Sequence, residues 1–580
     1  MKNIFKCFEL CTITALTLVF FAGCSNGSKI GTENISLKTE DFYKTLTSQN
    51  TEVSFPESMD GNKCYLIYSN ETNKPIKIKD VVPDFDSFNY YRSIDEDNQL
   101  NDQTGVYTKE YSHNYRDAHF DIPELSPEYM QQITNSNSRA ATSNSIRYNP
   151  NLPNNNLIVG KTKVEFYYIQ NNQTINEINY DFYDTKEFLL MAENDKCRIW
   201  RINDSSFDDK CDYNSLAKNI ENNYKLMLDI FGTNVIPKNN IGISASENTK
   251  LEVLVYDIYN DNEEGRTMGF FNPADLFLNT SISSKISNEC EVIHIDSYFL
   301  NNNLNTVLST LLHEFQHLLN FINKHDFTKD FNKVDISLKY DDWFTEMLSQ
   351  CCEEIFQERL GINDNASPKN RFNYGYKRTD LGFKSHWRDN YYSHAYANAY
   401  AFGTYLMRNY GGIKLIHDIA TNGYVNEAAI NIALKNNNYK ETFYSVLRKF
   451  PLVNIMTEYN YPYSLNNNVE SRYNEIFCTF TRIDLNEYPF FNFEYDEKND
   501  QSYNFYIDDR KKIEIGIKEK TIKGPLVFYP NSYWKIDNDY DEKAPIEPYG
   551  FLIYYLGTVD SSRTYKIRNN TELTLTLVVK

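Results

Sequence analysis

Two histidines and a glutamate interrupt an otherwise apolar run, TLLHEFQHLLNF, from Thr310 to Phe321. His313 and His317 are four residues apart, so on a helix both imidazoles leave one face and can grip a single metal ion. Glu314 stands beside them and can reach a water at that metal. This is the HExxH spacing, in which zinc supplies a Lewis acid and the glutamate a general base. Leu308, Leu311, Leu312, Phe315, Leu318 and Leu319 would hold such a helix rigid in a core. The plainer alternative is a pair of satisfied core histidines. With nine histidines in 580 residues, however, the full motif seldom arises by chance.

A catalytic zinc takes three protein ligands and keeps one position open. The HExxHxxGxxH solution fails, because Asn320 and Asn323 stand at its Gly and last His positions. The other common solution is a glutamate from the following helix, and Glu346 in WFTEMLSQ is well placed for it. His325, Glu353 and Glu354 compete for the role, while Asp341 and Asp342 suit a helix cap better.

The elements that must position these residues follow from periodicity. NSLAKNIENNYKLMLDIFG reads as a helix stopped by Gly232, and KLEVLVYDIY and EVIHID read as buried strands. The motif helix then runs from Leu304 to about Asn323, and a second begins behind Asp341 and Asp342 and stops at Gly361. Further helices are expected at about 393–410, 413–421, 425–436 and 440–450. Both flanks carry short alternating runs instead, such as KCYLIYSN, GFLIYYLG and LTLTLVV, which predict strands.

A chain of 580 residues is too long for one core. Against 59 basic residues stand 79 acidic ones, a net charge of −20, which argues against a nucleic-acid partner. Lys2 and Lys6 precede the apolar run CTITALTLVFFAG, so residues 1–23 read as a signal peptide. The ending FAGC resembles a bacterial lipobox, which implies a lipid on Cys24 and a membrane anchor. Seven cysteines follow Cys24, and Cys197 with Cys211 is the closest plausible disulfide.

HEFQH followed by WFTEMLS resembles the hyicolysin-type metallopeptidases, whose members carry HExxH and then a W-x-N-E-G-x-S-like segment. VLVYDIYNDNEEGRTMGFFNPADLF resembles the stretch before the zinc helix in that family, EVIHID its next strand, and YSHAYANAYAFGTYLMRNYGG its downstream helix. The resemblance runs from about Lys196 to Phe450. It implies an α+β fold with a thermolysin-like zinc peptidase domain of the gluzincin-like HExxH…E class. His313, His317 and Glu346 carry over as ligands of one Zn2+ per chain, and Glu314 as the catalytic residue. Thr345 and Met347 depart from the family's Asn and Gly. Gln350, four after Glu346, replaces the acidic residue with which many thermolysin-like enzymes orient a zinc histidine. YANAYAFGTYL is similar in spacing to the helix bearing the oxyanion tyrosine of aminopeptidases with such a site, which implies Tyr396, with His394 and Tyr400 competing.

The expected organisation is a signal peptide (1–23), a lipidated tether (24–40), an N-terminal β-rich domain (41–135), a linker (136–156), a metallopeptidase domain (157–455) and a C-terminal β-rich domain (460–580). The expected activity is a zinc endopeptidase acting on extracytoplasmic protein or peptide substrates. It would be lipid-anchored to a bacterial membrane, facing the periplasm or the cell surface. A non-catalytic binding lipoprotein is the alternative, and a hydrolase of a non-peptide bond would share the same residues.

Overall fold

The computed structural model describes residues 32–76, 81–83, 126–127, 157–175, 178–204, 211–236, 250–260, 267–302, 304–325, 340–362, 368–374, 376, 378–387, 392–494, 504–508, 511–514, 519–523, 545–569 and 571–580. Cys24, the signal-like segment, residues 24–31 of the expected tether and the expected linker lie outside the described residues, whereas Thr32–Ser36 of that tether form a strand. Among those described, no helix is long and apolar enough to cross a membrane.

The chain divides into two compact units. One draws on both ends, taking residues 1–104, 502–515 and 527–580. Its first sheet has the order β1 (Thr32–Ser36), β3 (Asn50–Ser54), β19 (Thr564–Asn569), β5 (Val81–Pro83). Its second has the order β18 (Phe551–Thr558), β4 (Lys63–Ser69), β20 (Thr574–Val579), β2 (Tyr43–Leu46). The strands expected in two separate β-rich ends thus interleave in the same sheets. Leu66 of β4 stands opposite Leu577 of β20, and both are buried. β15 (Asn504–Asp508) and β16 (Lys511–Glu514) form a separate antiparallel ribbon.

The other unit, residues 105–501 and 516–526, is mixed α+β. Its six-stranded sheet joins β6 (Lys163–Ile175), β7 (Ile178–Glu193), β8 (Cys197–Ile202), β9 (Leu251–Tyr256), β10 (Gly269–Phe270) and β11 (Val292–Asp296) in the order β10-β11-β9-β8-β7-β6. β8, β9 and β11 run parallel, whereas β10, β7 and β6 join antiparallel. Every residue of β9 and β11 is buried, as strands covered on both faces require. Phe166, Phe188, Trp200, Leu254, Tyr256 and Phe270 share one apolar cluster on this sheet.

The helices follow the expected pattern closely: α1 (Tyr213–Phe231), α2 (Ser297–Asn302), α3 (Leu304–Lys324), α4 (Asp342–Leu360), α5 (Arg371–Tyr374), α6 (Tyr392–Asn409), α7 (Gly412–Thr421), α8 (Asn426–Asn436) and α9 (Phe443–Lys449). α1 starts at Asp212, whose carboxylate accepts from the Ser215 amide at 3.0 Å. α4 stops at Gly361, whose φ of 65° is the left-handed turn that a glycine takes without strain. Two hairpin-like pairs complete the unit, β12 (Val469–Tyr473) with β13 (Ile476–Phe480) and β14 (Pro489–Glu494) with β17 (Glu519–Lys523).

Two local expectations are corrected. Asp341 sits at the N-cap of α4 but its side chain makes no capping bond; it accepts instead from the Trp343 indole at 3.0 Å. Cys197 is a free thiol and so forms no disulfide with Cys211. Cys197 is buried on β8, with its sulfur 3.8 Å from the Ala217 carbonyl of α1, and so points into the sheet–helix interface.

Candidate metal centre

α3 is buried almost all round, because apolar residues at Val307, Leu308, Leu311, Leu312, Phe315, Leu318, Leu319 and Ile322 leave little of its surface polar. Its C-terminal Lys324 does not reach water. Its ammonium donates to the carbonyls of Ile419, Asn422 and Tyr424 at 2.5, 2.9 and 2.8 Å, closing the C-terminus of α7. Asn320 and Asn323 bind neighbouring elements: Asn320 donates to Thr345 Oγ1 at 3.3 Å and Asn323 to the Thr233 carbonyl at 2.8 Å.

α4 packs along α3 and brings Glu346 against both histidines. His313 Nε2 lies 3.2 Å from Glu346 Oε2, and His317 Nε2 lies 3.2 Å from Glu346 Oε1. The three candidate ligand atoms all fall within 4.8 Å of one another. Glu346 is wholly buried and His313 nearly so, while His317 keeps 13% of its side chain exposed. Glu314 stands outside the cluster, buried beside it on α3.

The residues fit zinc. Two imidazoles and one carboxylate are a donor set that catalytic zinc takes. Donors held ~2.0–2.1 Å from a tetrahedral zinc lie about 3.3 Å from each other. Each imidazole Nε2 lies about that far from its own oxygen of Glu346, and with one atom from each residue the three donors fall within 4.8 Å.

The ring orientations are set from behind. His313 Nδ1 meets Glu353 Oε1 at 2.8 Å, and the other oxygen of Glu353 accepts from Ser309 Oγ at 2.8 Å. His317 Nδ1 meets Thr345 Oγ1 at 2.8 Å. With the proton on each Nδ1, each Nε2 turns its lone pair towards Glu346, the tautomer that a metal ligand needs. Burial disfavours the charged form of Glu353. The hydrogen bond from His313, with the charge of Arg371 and the hydroxyl of Ser309, outweighs it and holds the carboxyl below its ordinary range.

From the sequence, Glu353 is a rival ligand, and the position at which an orienting acid is expected holds Gln350. The structure moves that role to Glu353, since Gln350 turns back to donate to the Glu346 carbonyl at 3.2 Å. The signal was present: Glu353 is seven residues after Glu346, two helical turns along the same face. The other rivals are also placed elsewhere. Glu354 pairs with Arg408, and His325 Nδ1 meets the Phe321 carbonyl at 2.8 Å. Of the oxyanion candidates, Tyr400 gives its hydroxyl to Glu354 at 3.0 Å. Tyr396 is buried under the Arg371 guanidinium, 4.9 Å from its ring centroid, and His394 is buried on the same helix.

No protein-family model matches the chain. Two crystal structures of an M1 zinc metallopeptidase from Deinococcus radiodurans, one of them a point mutant, align with 50% of this chain and 61% of theirs at 12% identity. The TM-score is 0.26, too low to constrain the fold. Over 118 residues the chain is 32% identical to the neutral metalloprotease ShpI of Staphylococcus hyicus. That match spans 19% of this chain and 24% of ShpI. Over that stretch the chain is distantly similar to a metalloprotease, and it holds a candidate His-His-Glu site consistent with zinc.

Proposed function

We propose that the chain is a zinc-dependent endopeptidase, with a thermolysin-like arrangement of sheet and helices, that hydrolyses peptide bonds in proteins outside the cytoplasm. The observation that carries this reading is the meeting of His313, His317 and Glu346 at one buried point. These three side chains hold the metal, with Glu353 and Thr345 fixing the two rings. When bound, zinc supplies a Lewis acid that polarises the scissile carbonyl. Glu314 accepts the proton of the attacking water as the oxygen–carbon bond forms. It then returns that proton to the amide nitrogen as the carbon–nitrogen bond breaks. The FAGC ending at Cys24 supports a lipid anchor holding the enzyme at a bacterial membrane. Loss of labelled fatty-acid incorporation in a Cys24→Ser variant expressed in bacteria checks that part.

The decisive experiment compares wild type with Glu314→Gln in metal content and in cleavage of casein or a quenched peptide. About one zinc per chain is expected in both, because Glu314 is not a ligand. Cleavage is expected to fall about 10²–10⁴-fold in the variant. Wild type that binds no zinc, or a variant that cleaves as wild type does, overturns the reading.

A further inference from the structure

Next to Glu353, α4 carries a third buried carboxylate after Glu346 and Glu353. Glu353 faces α3, and Glu354, about 100° further round the helix, faces α6. There it meets three groups spaced four residues apart along one stripe of α6. Tyr400 Oη donates to it at 3.0 Å, Thr404 Oγ1 at 2.7 Å and an Arg408 nitrogen at 2.7 Å. The Arg408 guanidinium also reaches Thr404 Oγ1 and donates to the Thr481 carbonyl just beyond β13, at 2.7 Å. Only 1% of the Arg408 side chain and 2% of Glu354's are exposed.

Such a pair is a poor way to gain stability, because removing two charges from water offsets most of their attraction. What it supplies is direction. Nearby the two helices touch closely through apolar groups: at Gly403 a Cβ would lie 2.7 Å from Cys351 Sγ and 2.9 Å from Met347 Cγ. Such packing is non-directional, whereas hydrogen bonds to a buried charge single out one slide and one roll of the helix. A functional constellation must hold to within ~0.5 Å, whereas one residue of helix slip moves α4 by ~1.5 Å. Glu346 and Glu353 both ride on α4, so any such movement would draw them from His313 and His317 together.

We infer that Glu354 and Arg408 are positioning residues for the metal centre, fixing the register and roll of α4 so that Glu346 and Glu353 meet the two histidines. The inference rests on the His-His-Glu site binding zinc.

The test reads zinc affinity, by competition with a chromophoric chelator, on full-length protein whose far-UV circular dichroism matches wild type. Three changes are compared: Glu354→Gln, Arg408→Lys, and the apolar pair Glu354→Leu with Arg408→Met. The apolar pair leaves no buried charge and keeps the test open should Glu354→Gln fail to fold. Folded Glu354→Gln and the apolar pair are expected to bind zinc about tenfold more weakly or worse, as loss of a group behind a ligand does. Arg408→Lys, which keeps the ion pair but loses the forked bonds, is expected to fall between them and wild type. Wild-type affinity in the folded apolar pair overturns the inference and leaves the zinc reading standing. No zinc in wild type overturns both.

Discussion

Glu353 contributes no ligand atom to the cluster, yet its carboxylate decides which way the His313 ring faces. Glu353→Gln keeps the side chain's length and removes the charge that makes His313 a strong donor through Nε2. Zinc affinity is expected to fall about 10–100-fold, measured by chelator competition, with the fold intact by circular dichroism. An unchanged affinity would mean that packing alone orients His313. At this scale the histidines were legible because their spacing is local, and a four-residue step fixes a shared face whatever the surroundings. Glu346 was legible as the carboxylate one helix on. The role of Glu353 is not legible in the sequence, because its partner His313 lies across a helix–helix contact. Thr345 stood out only as a departure from a family pattern, although its hydroxyl meets His317 Nδ1 at 2.8 Å.

Among the elements, the α4–α6 contact has a pH dependence of its own. Burial disfavours charge on Glu354, but Arg408, with Lys369 and Thr404, outweighs it and holds the carboxyl below the ordinary value of 4.5. A depressed carboxyl stabilises the fold in full above the unfolded value, and the contribution is lost as pH falls through the folded one. Glu354→Gln should therefore cost about 3–5 kcal/mol near neutral pH, since it strands a buried guanidinium. The gap from wild type should narrow below pH 4.5 as wild-type Glu354 takes up its proton. Denaturant unfolding at a series of pH values reads this directly, and a gap that stays constant through the acid limb refutes it. The helices themselves were legible from apolar periodicity and stop residues. Their ends were less so: the helix expected at about 440–450 begins at Phe443, because Thr442 and Ser445 cap it reciprocally. Neither the role of Asp341 nor the free state of Cys197 was readable, because each depends on what a folded neighbour offers.

At the scale of the whole molecule, the two ends of the chain read as separate β-rich segments, since alternation marks a strand but not its partner. The structure pairs them. Thr45 and Thr576, 531 residues apart in sequence, bring their hydroxyls to 3.3 Å, and Leu66 stands opposite Leu577 in the same sheet. Loop-closure entropy grows only slowly with length, so a long intervening stretch does not forbid such pairing. Its reward is burial, with both leucines almost fully removed from solvent. A double-mutant cycle tests the arrangement. Leu66→Ala and Leu577→Ala should each cost about 2–5 kcal/mol. As direct cross-strand neighbours they should couple by about 0.5–1 kcal/mol, the double variant losing less than the two singles together. Strict additivity would place the two leucines in different cores. The N-terminal and C-terminal strands would then belong to independent domains after all.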